Sequence, residues 1–448
     1  MNLKNLYHFY SRIGFGISID EAKKLEGKSP EELIDQQLNV RRSETRLKLV
    51  HLNDILDRKS RKDLSPLEKR DVQKKLREKV KELNTVWMKQ LIQTPNVLLE
   101  RMTLFWHGHF ACRVEHPYLA QELNNIQRKY AFAPFKELLL EVSKSAAMLQ
   151  FLNNRQNKKM HPNENFAREL MELFTIGRGN YTENDIKESA RAFTGWTFDN
   201  DSYEFVFNQR QHDTEEKTFM GKSGYFTGED IIDILLTKKE TARFLCEKMY
   251  VFFINEKVDE KRLDELTDFY YSNRYDTGKL LKKIMCSNWF YDEENKGAII
   301  KSPVDFIVSF SRTFRIIPSD LLMLKLQKSM DQILFYPPNV AGWPGGKDWI
   351  DSTTLMFRLK IPSTLLNGGK VTFLEKDNMP EDTFNLPDTV QAAENPSISL
   401  LNHSNEEIIE ALLRVTPDEK NKMLLLGNIT EPRQLVLKLV SMPEYQVY

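Results

Sequence analysis

Apolar residues recur at three- and four-residue intervals along most of the chain, the spacing that lines one face of an α-helix. From Pro66 onward they fall at Leu67, Val72, Leu76, Val80, Leu83, Trp87 and Leu91, with charged residues between them, and Ser65-Pro66 supplies a helix start. This predicts one long surface helix near 66–93 with Leu76, Val80, Leu83 and Trp87 facing inward. The same spacing predicts two short helices in 1–38, one after Thr94-Pro95, two in 118–153, and others at 227–236, 242–254, 278–288, 303–315, 320–335, 404–414 and 432–441.

Residues 161–221 carry the densest signals. Pro162-Asn163 opens a helix that turns Phe166, Ala167, Leu170, Met171 and Phe174 to one side and Glu164, Arg168, Glu169 and Glu172 to the other. Gly177 and Gly179 end it, and Thr182 with Asp185 three residues on begins a second helix, which Gly195 stops before Trp196. Tyr203, Phe205 and Phe207 alternate as a strand does, and the polar run through His212-Asp213 predicts a hairpin over 202–220 that returns at Lys217–Met220. The expected fold is mainly α: a multi-helical single large domain with a small antiparallel β-hairpin. Near 366 the texture changes, with Gly368, Gly369, Pro380, Pro387 and Pro396 breaking up polar sequence. Residues 1–365 are therefore expected to form the helical core domain, and 366–448 an irregular crossing segment with C-terminal helices packed on it.

Composition narrows the partners. Lys plus Arg equals Asp plus Glu at 64 each among 448 residues, so no net field attracts nucleic acid or an anionic membrane. No apolar run approaches the roughly 18 residues that span a bilayer, and MNLKNLYHFYSR lacks the apolar stretch of a signal peptide. Cys112, Cys246 and Cys286 are few, odd in number and without metal-ligand spacing, which points to free thiols. The expected compartment is the cytoplasm, or the exterior if the N-terminus was trimmed.

Of eight histidines, five (His107, His109, His116, His161 and His212) fall between 107 and 212. Imidazole and carboxylate are natural ligands of a divalent metal ion, and His107, His109, His212 and Asp213 supply enough of both for one centre. Glu164 would be a further ligand or an orienting group, and Arg168 or Lys217 would neutralise an anionic substrate group. The difficulty is spacing: on a regular helix His107 and His109 point roughly 200° apart, so they converge only if Gly108 marks a break. The competing reading makes Trp106, His107, His109 and Phe110 an aromatic core layer with hydrogen-bonded imidazoles, His212-Asp213 a turn, Arg168–Glu172 a surface ion pair and Glu164 a favourable acid at a helix start. HExxH, paired CxxC and EF-hand patterns are all absent. Cys112 could be a nucleophile only if an imidazole lowers its pKa. In NVAGWPGGKDW, three residues rather than four separate Gly342 from Gly346 and Asp348 follows Lys347, so it is no phosphate loop. Trp343 and Trp349 either anchor that loop or form the wall of a sugar or peptide pocket.

Eight phrases run almost end to end: RIGFG (12–16), RMTLFWHGHF (101–110), NENFAREL (163–170), YTEND (181–185) with TGW (194–196), HDTEEK (212–217), KSPVDF (301–306), NVAGWPGGKDW (339–349) and SMPEYQ (441–446). Together they resemble the bacterial family catalogued as domain of unknown function 1800. The resemblance names no reaction, but it adds weight to His107, His109, Glu164, Arg168, Glu169, His212, Asp213 and Lys217. Two functions of different class follow as expectations. One is a metal-dependent or His/carboxylate acid–base enzyme, a hydrolase or oxidoreductase, with its site between WHGHF, NENFAREL and QHD. The other is a non-enzymatic helical scaffold that binds a small molecule, glycan, peptide or protein partner through aromatic residues such as Trp196, Trp343 and Trp349.

Overall fold

The structure, a computed structural model, describes residues 1–39, 45–52, 65–373, 389–391, 399–415 and 431–448. The charged stretch at 53–64 and most of the segment expected to cross the surface after 373 lie outside the described residues.

Helices begin where capping chemistry starts them. Ser65 and Glu68 bond reciprocally ahead of Pro66, opening the Pro66–Gln93 helix. Val80, Leu83 and Trp87 on it are fully buried and Leu76 half-buried, while Leu67 in the first turn is 73 % exposed. Thr182 with Asp185 and Ser302 with Asp305 open Glu183–Ala192 and Pro303–Phe314 in the same way. Among the described residues no helix is long and apolar enough to cross a membrane.

The axis of the fold is the Val97–His109 helix, in which every residue except Gly108 is buried. A helix so enclosed can carry charge only if it is matched. Arg128 of the Pro117–Lys129 helix grips both Glu100 oxygens at 2.7 and 3.0 Å, and Trp87 Nε1 and Gln90 Nε2 donate to the same carboxylate. Removing one partner from such a pair leaves a bare buried charge, typically about 3–5 kcal/mol. One hydrophobic core runs continuously from Leu6 to Tyr445.

Among the described residues the β-strands form three short two-stranded antiparallel ladders. Phe205–Phe207 pairs backward with Trp196–Phe198, and Lys217–Phe219 pairs with Lys222–Gly224, so the single hairpin expected over 202–220 is two local ones. The cause is turn chemistry. Asp199 accepts from the backbone of Asp201 and Ser202, Tyr203 takes a left-handed φ of 58°, and Trp196 sets its ring 5.2 Å from Phe205. The Gln209–Gln211 turn then carries the chain away before it can pair forward.

The C-terminal residues lie beside 299–301: the Lys301 backbone N–H donates to the Gln446 carbonyl at 2.9 Å, and the Tyr448 backbone N–H to that of Ile299 at 3.0 Å. That pairing delivers the Tyr448 hydroxyl to Arg101 and Asp305 in the interior.

Candidate functional site

The Val97–His109 helix continues unbroken through Gly108, so its two histidines point to different neighbourhoods. His107 Nε2 accepts the Phe335 N–H at 3.1 Å, and its ring lies among Trp87, Phe335 and Trp343. A neutral imidazole whose Nε2 accepts carries its proton on Nδ1. Burial pulls its pKa down to about 3 against the opposing bond of Gln127, so His107 is a neutral core residue.

His109 faces the opposite side. Its Nε2 donates to the Phe174 carbonyl at 3.1 Å, which leaves Nδ1 bare, and Lys248 Nζ approaches that nitrogen at 3.4 Å. Lys248 also donates to the Leu173 carbonyl at 3.1 Å. These carbonyls are free because the NENFAREL helix changes character: Asn165–Glu169 is α-helical, whereas Leu170–Thr175 winds as a π-helix and then stops. Burial, with the Lys248 charge, holds His109 well below the usual imidazole range, and burial brings Lys248 down to about 8.

Lys248 and His109 both line a cleft of about 490 Å³, within the range typical of small-molecule sites. Its walls are largely apolar, with Phe105, Phe244, Phe252, Trp343 and Trp349 prominent. The WPGG loop forms one side because Gly342, at φ +88°, rests against Gly108, where a Cβ would come within 2.6 Å of the Gly108 carbonyl oxygen. Asp305 and Tyr448 close the inner end. Both oxygens of Asp305 are occupied there, one by Arg101 and the other by Tyr448 Oη at 2.8 Å.

The remaining expected site residues lie elsewhere. His212 Nδ1 donates to the Thr194 carbonyl at 3.0 Å, with Phe207 against its ring. Asp213 takes the Arg191 guanidinium at 2.7 Å and the Glu215 N–H at 2.9 Å, and Lys217 donates to the carbonyls of Asp213 and Glu215. Burial would raise Asp213, but Arg191 and these bonds outweigh it and hold the carboxyl below its ordinary value. Burial lowers Lys217, with Asp213 opposing. The whole turn docks on Gly195, whose φ of +81° and 2.5 Å clearance from the Asn208 carbonyl exclude a side chain. Glu164 and Arg168 form an outer ion-pair chain with Glu183, and Glu172 pairs with Arg178 rather than with Arg168.

Thus His107, His109, His212 and Asp213 are not one ligand set: among the described residues no three His, Cys, Asp or Glu side chains are grouped to hold a metal ion. Of the expected residues, His109 lines the cleft, joined by Trp343 and Trp349 from the WPGG loop. Trp196, at 1 % exposure, is core rather than binding surface. Cys112 is enclosed in apolar surroundings, and burial pushes its thiol far up, away from nucleophilic range.

A family model described as a protein of unknown function (DUF1800) matches residues 8–447. The chain belongs to that family. Comparison with curated proteins and with solved structures finds no match for it. In this DUF1800 protein the WHGHF and NVAGWPGGKDW phrases meet at the cleft, whereas TGW and HDTEEK meet in the turn around Arg191. Lys248 belongs to none of these phrases. Its signal was a lone lysine with Phe244 four residues before it and Val251 and Phe252 three and four after, which sets an amine on an apolar helix face.

Proposed function

We propose that the cleft between the Val97–His109 helix, the Lys239–Phe253 helix and the WPGG loop is the functional site, and that it performs proton-transfer chemistry on a small molecule with an apolar body and an anionic or carbonyl head. The observation that carries this is the 3.4 Å contact between Lys248 Nζ and His109 Nδ1 in the wall of an apolar cleft. An amine brought down to about 8 is available both as a cation to bind an anionic group and as a base once deprotonated. His109, with its Nδ1 bare, accepts a hydrogen bond from Lys248 and so holds the amine in place. The aromatic walls hold the apolar body and exclude water, which strengthens every charge interaction within.

A binding protein without turnover is the second reading. It is favoured by the bonds of Lys248 and His109 to the Leu173 and Phe174 carbonyls, which would let the pair serve as the cap of a helix end.

Titration with 1-anilinonaphthalene-8-sulfonate, an anionic aromatic probe, tests the site. Saturable binding is expected, weakened about ten-fold in Lys248→Met, the value of one charge-assisted hydrogen bond. Compounds that displace the probe are then assayed for conversion. Turnover reduced about 100-fold or more in Lys248→Met and His109→Gln supports the enzyme, and displacement without turnover selects the binding protein. Probe binding unchanged in Lys248→Met removes the cleft from consideration.

A further inference from the structure

Four cationic side chains, Arg12, Arg101, Lys301 and Arg358, are buried around Asp305 at 0, 0, 6 and 0 % exposure, and Asp305 itself is 3 % exposed. Arg101 and Tyr448 take both Asp305 oxygens. The other cations rest on neutral acceptors: Arg12 on the Asn295 carbonyl, Lys301 on that of Tyr445 at 2.7 Å, and Arg358 on that of Lys301 at 2.6 Å. Two further carboxylates act on the cluster, Glu256 on Arg12 and Glu410 on the half-buried Arg414, and both are part-exposed. Buried cations thus outnumber buried carboxylates four to one. Such an excess is costly unless an anion completes it.

A cavity of about 40 Å³ opens beside this cluster, lined by Lys301, Arg414, Tyr7, Tyr445, Asp305 and Tyr448. It has room for more than one water-sized molecule. The Tyr445 hydroxyl, in a residue 2 % exposed, has no hydrogen-bond partner, and neither do Nη1 and Nε of Arg12 nor Nη1 of Arg358. An ammonium, a guanidinium and a phenol are all donors, the complement of an oxyanion's acceptor-only surface. Two phrases that the cleft leaves unexplained converge here, RIGFG through Gly14, Phe15 and Gly16 and SMPEYQ through Tyr445, and they meet KSPVDF, which also reaches the cleft, through Lys301 and Asp305.

We propose that this cavity binds a small tetrahedral oxyanion of the phosphate class, held by Lys301, Arg414 and the Tyr445 hydroxyl. The Asp305 carboxylate also faces the cavity, but Arg101 neutralises it there and Tyr448 donates to its second oxygen. Burial, reinforced by Arg414 and Arg358, brings Lys301 down to about 7, and burial brings Arg12 to about 9, as unmatched cations require. Asp305 and Tyr448 stand in the walls of both cavities, so the anion would sit behind the inner end of the larger cleft.

The test uses the full chain dialysed into an anion-poor buffer, with thermal unfolding and calorimetry against inorganic phosphate, sulfate and acetate, each compared with sodium chloride at equal ionic strength. Saturable stabilisation by phosphate or sulfate is expected, retained in Lys248→Met, lost in Lys301→Met and weakened about five-fold in Tyr445→Phe and Arg414→Gln. Tyr445→Phe removes only an unpartnered hydroxyl, so it keeps the test decisive if Lys301→Met does not fold. Phosphate and sulfate acting no more strongly than chloride on the wild type would overturn the proposal. So would acetate alone stabilising it, or an undiminished phosphate effect in both Tyr445→Phe and Arg414→Gln. Because Lys248→Met leaves this site intact, failure here is separable from failure of the cleft.

Discussion

Lys248 Nζ lies 3.4 Å from His109 Nδ1, and the roles in that contact are fixed by the far side of the ring. His109 Nε2 donates to the Phe174 carbonyl, so Nδ1 is the acceptor and the lysine the donor. A proton lost from Lys248 leaves an amine with two N–H groups, enough to keep its bonds to His109 Nδ1 and the Leu173 carbonyl, and one lone pair for a substrate.

Lys248 should accordingly be the accessible lysine modified fastest near neutrality, since Lys301, brought lower still, is only 6 % exposed. With trinitrobenzenesulfonate and peptide mapping, its labelling is expected to rise through pH 8, where burial places its pKa, while exposed lysines respond toward 10.5. Because the folded pKa is lowered, the unfolded chain binds the extra proton between about 8 and 10.5, so this residue makes stability rise with pH across that window. Lys248→Met should show a shallower rise in urea midpoints. Labelling indistinguishable from surface lysines would reject the assignment.

His107 and His109 should separate under substitution. His107→Ala strands the Phe335 N–H and opens space among Trp87, Phe335 and Trp343, an expected loss of about 2–4 kcal/mol in denaturant unfolding. His109→Gln should alter probe binding in the cleft more than stability. The reverse pattern would move the functional histidine to position 107.

The Arg191–Asp213 turn makes a prediction in acid. Asp213 is held below its ordinary value of 3.8, so its contribution is complete above that pH and is lost as pH falls through the lower folded value. Asp213→Asn is expected to cost about 1–2 kcal/mol from pH 5 to 7, below the fully buried range because the Arg191 side chain keeps 21 % exposure. The gap to wild type should close below about pH 4. A gap independent of pH would show that the ion pair contributes nothing.

Arg168 is bonded to Glu164 and Glu183 on the surface. Arg168→Ala should therefore change stability by less than about 1 kcal/mol and leave probe binding in the cleft unaltered. A large loss of binding would extend the site to that face.

Most helices were legible because capping is local, as Ser65-Pro66 and Thr182 with Asp185 declare themselves within four residues. But the two short helices expected in 1–38 are three, the one expected over 320–335 ends at Ser329, and Glu260–Ser272 was missed. The hairpins were half legible, since the alternation of Tyr203, Phe205 and Phe207 marks a strand without saying which neighbour it pairs with. Clustering of histidines in sequence did not become clustering in space, because an unbroken helix turns His107 and His109 to different sides. The His109–Lys248 contact spans 139 positions and has no periodic signature. The π-helical turn that frees the Leu173 and Phe174 carbonyls is equally silent, as LMELFT reads as ordinary helix.

The wall shared by the two cavities joins Arg101 to Tyr448 across 347 positions. Such a contact cannot form while a nascent chain is still short, whatever the propensity of its helices. The Arg128–Glu100 pair spans only 28 positions, whereas Arg101 reaches Asp305 across 204 and Tyr448 across 347. Assembly of both cavities thus depends on long-range closure, and neither is complete until the segment carrying Tyr448 has packed against Asp305 and Arg101.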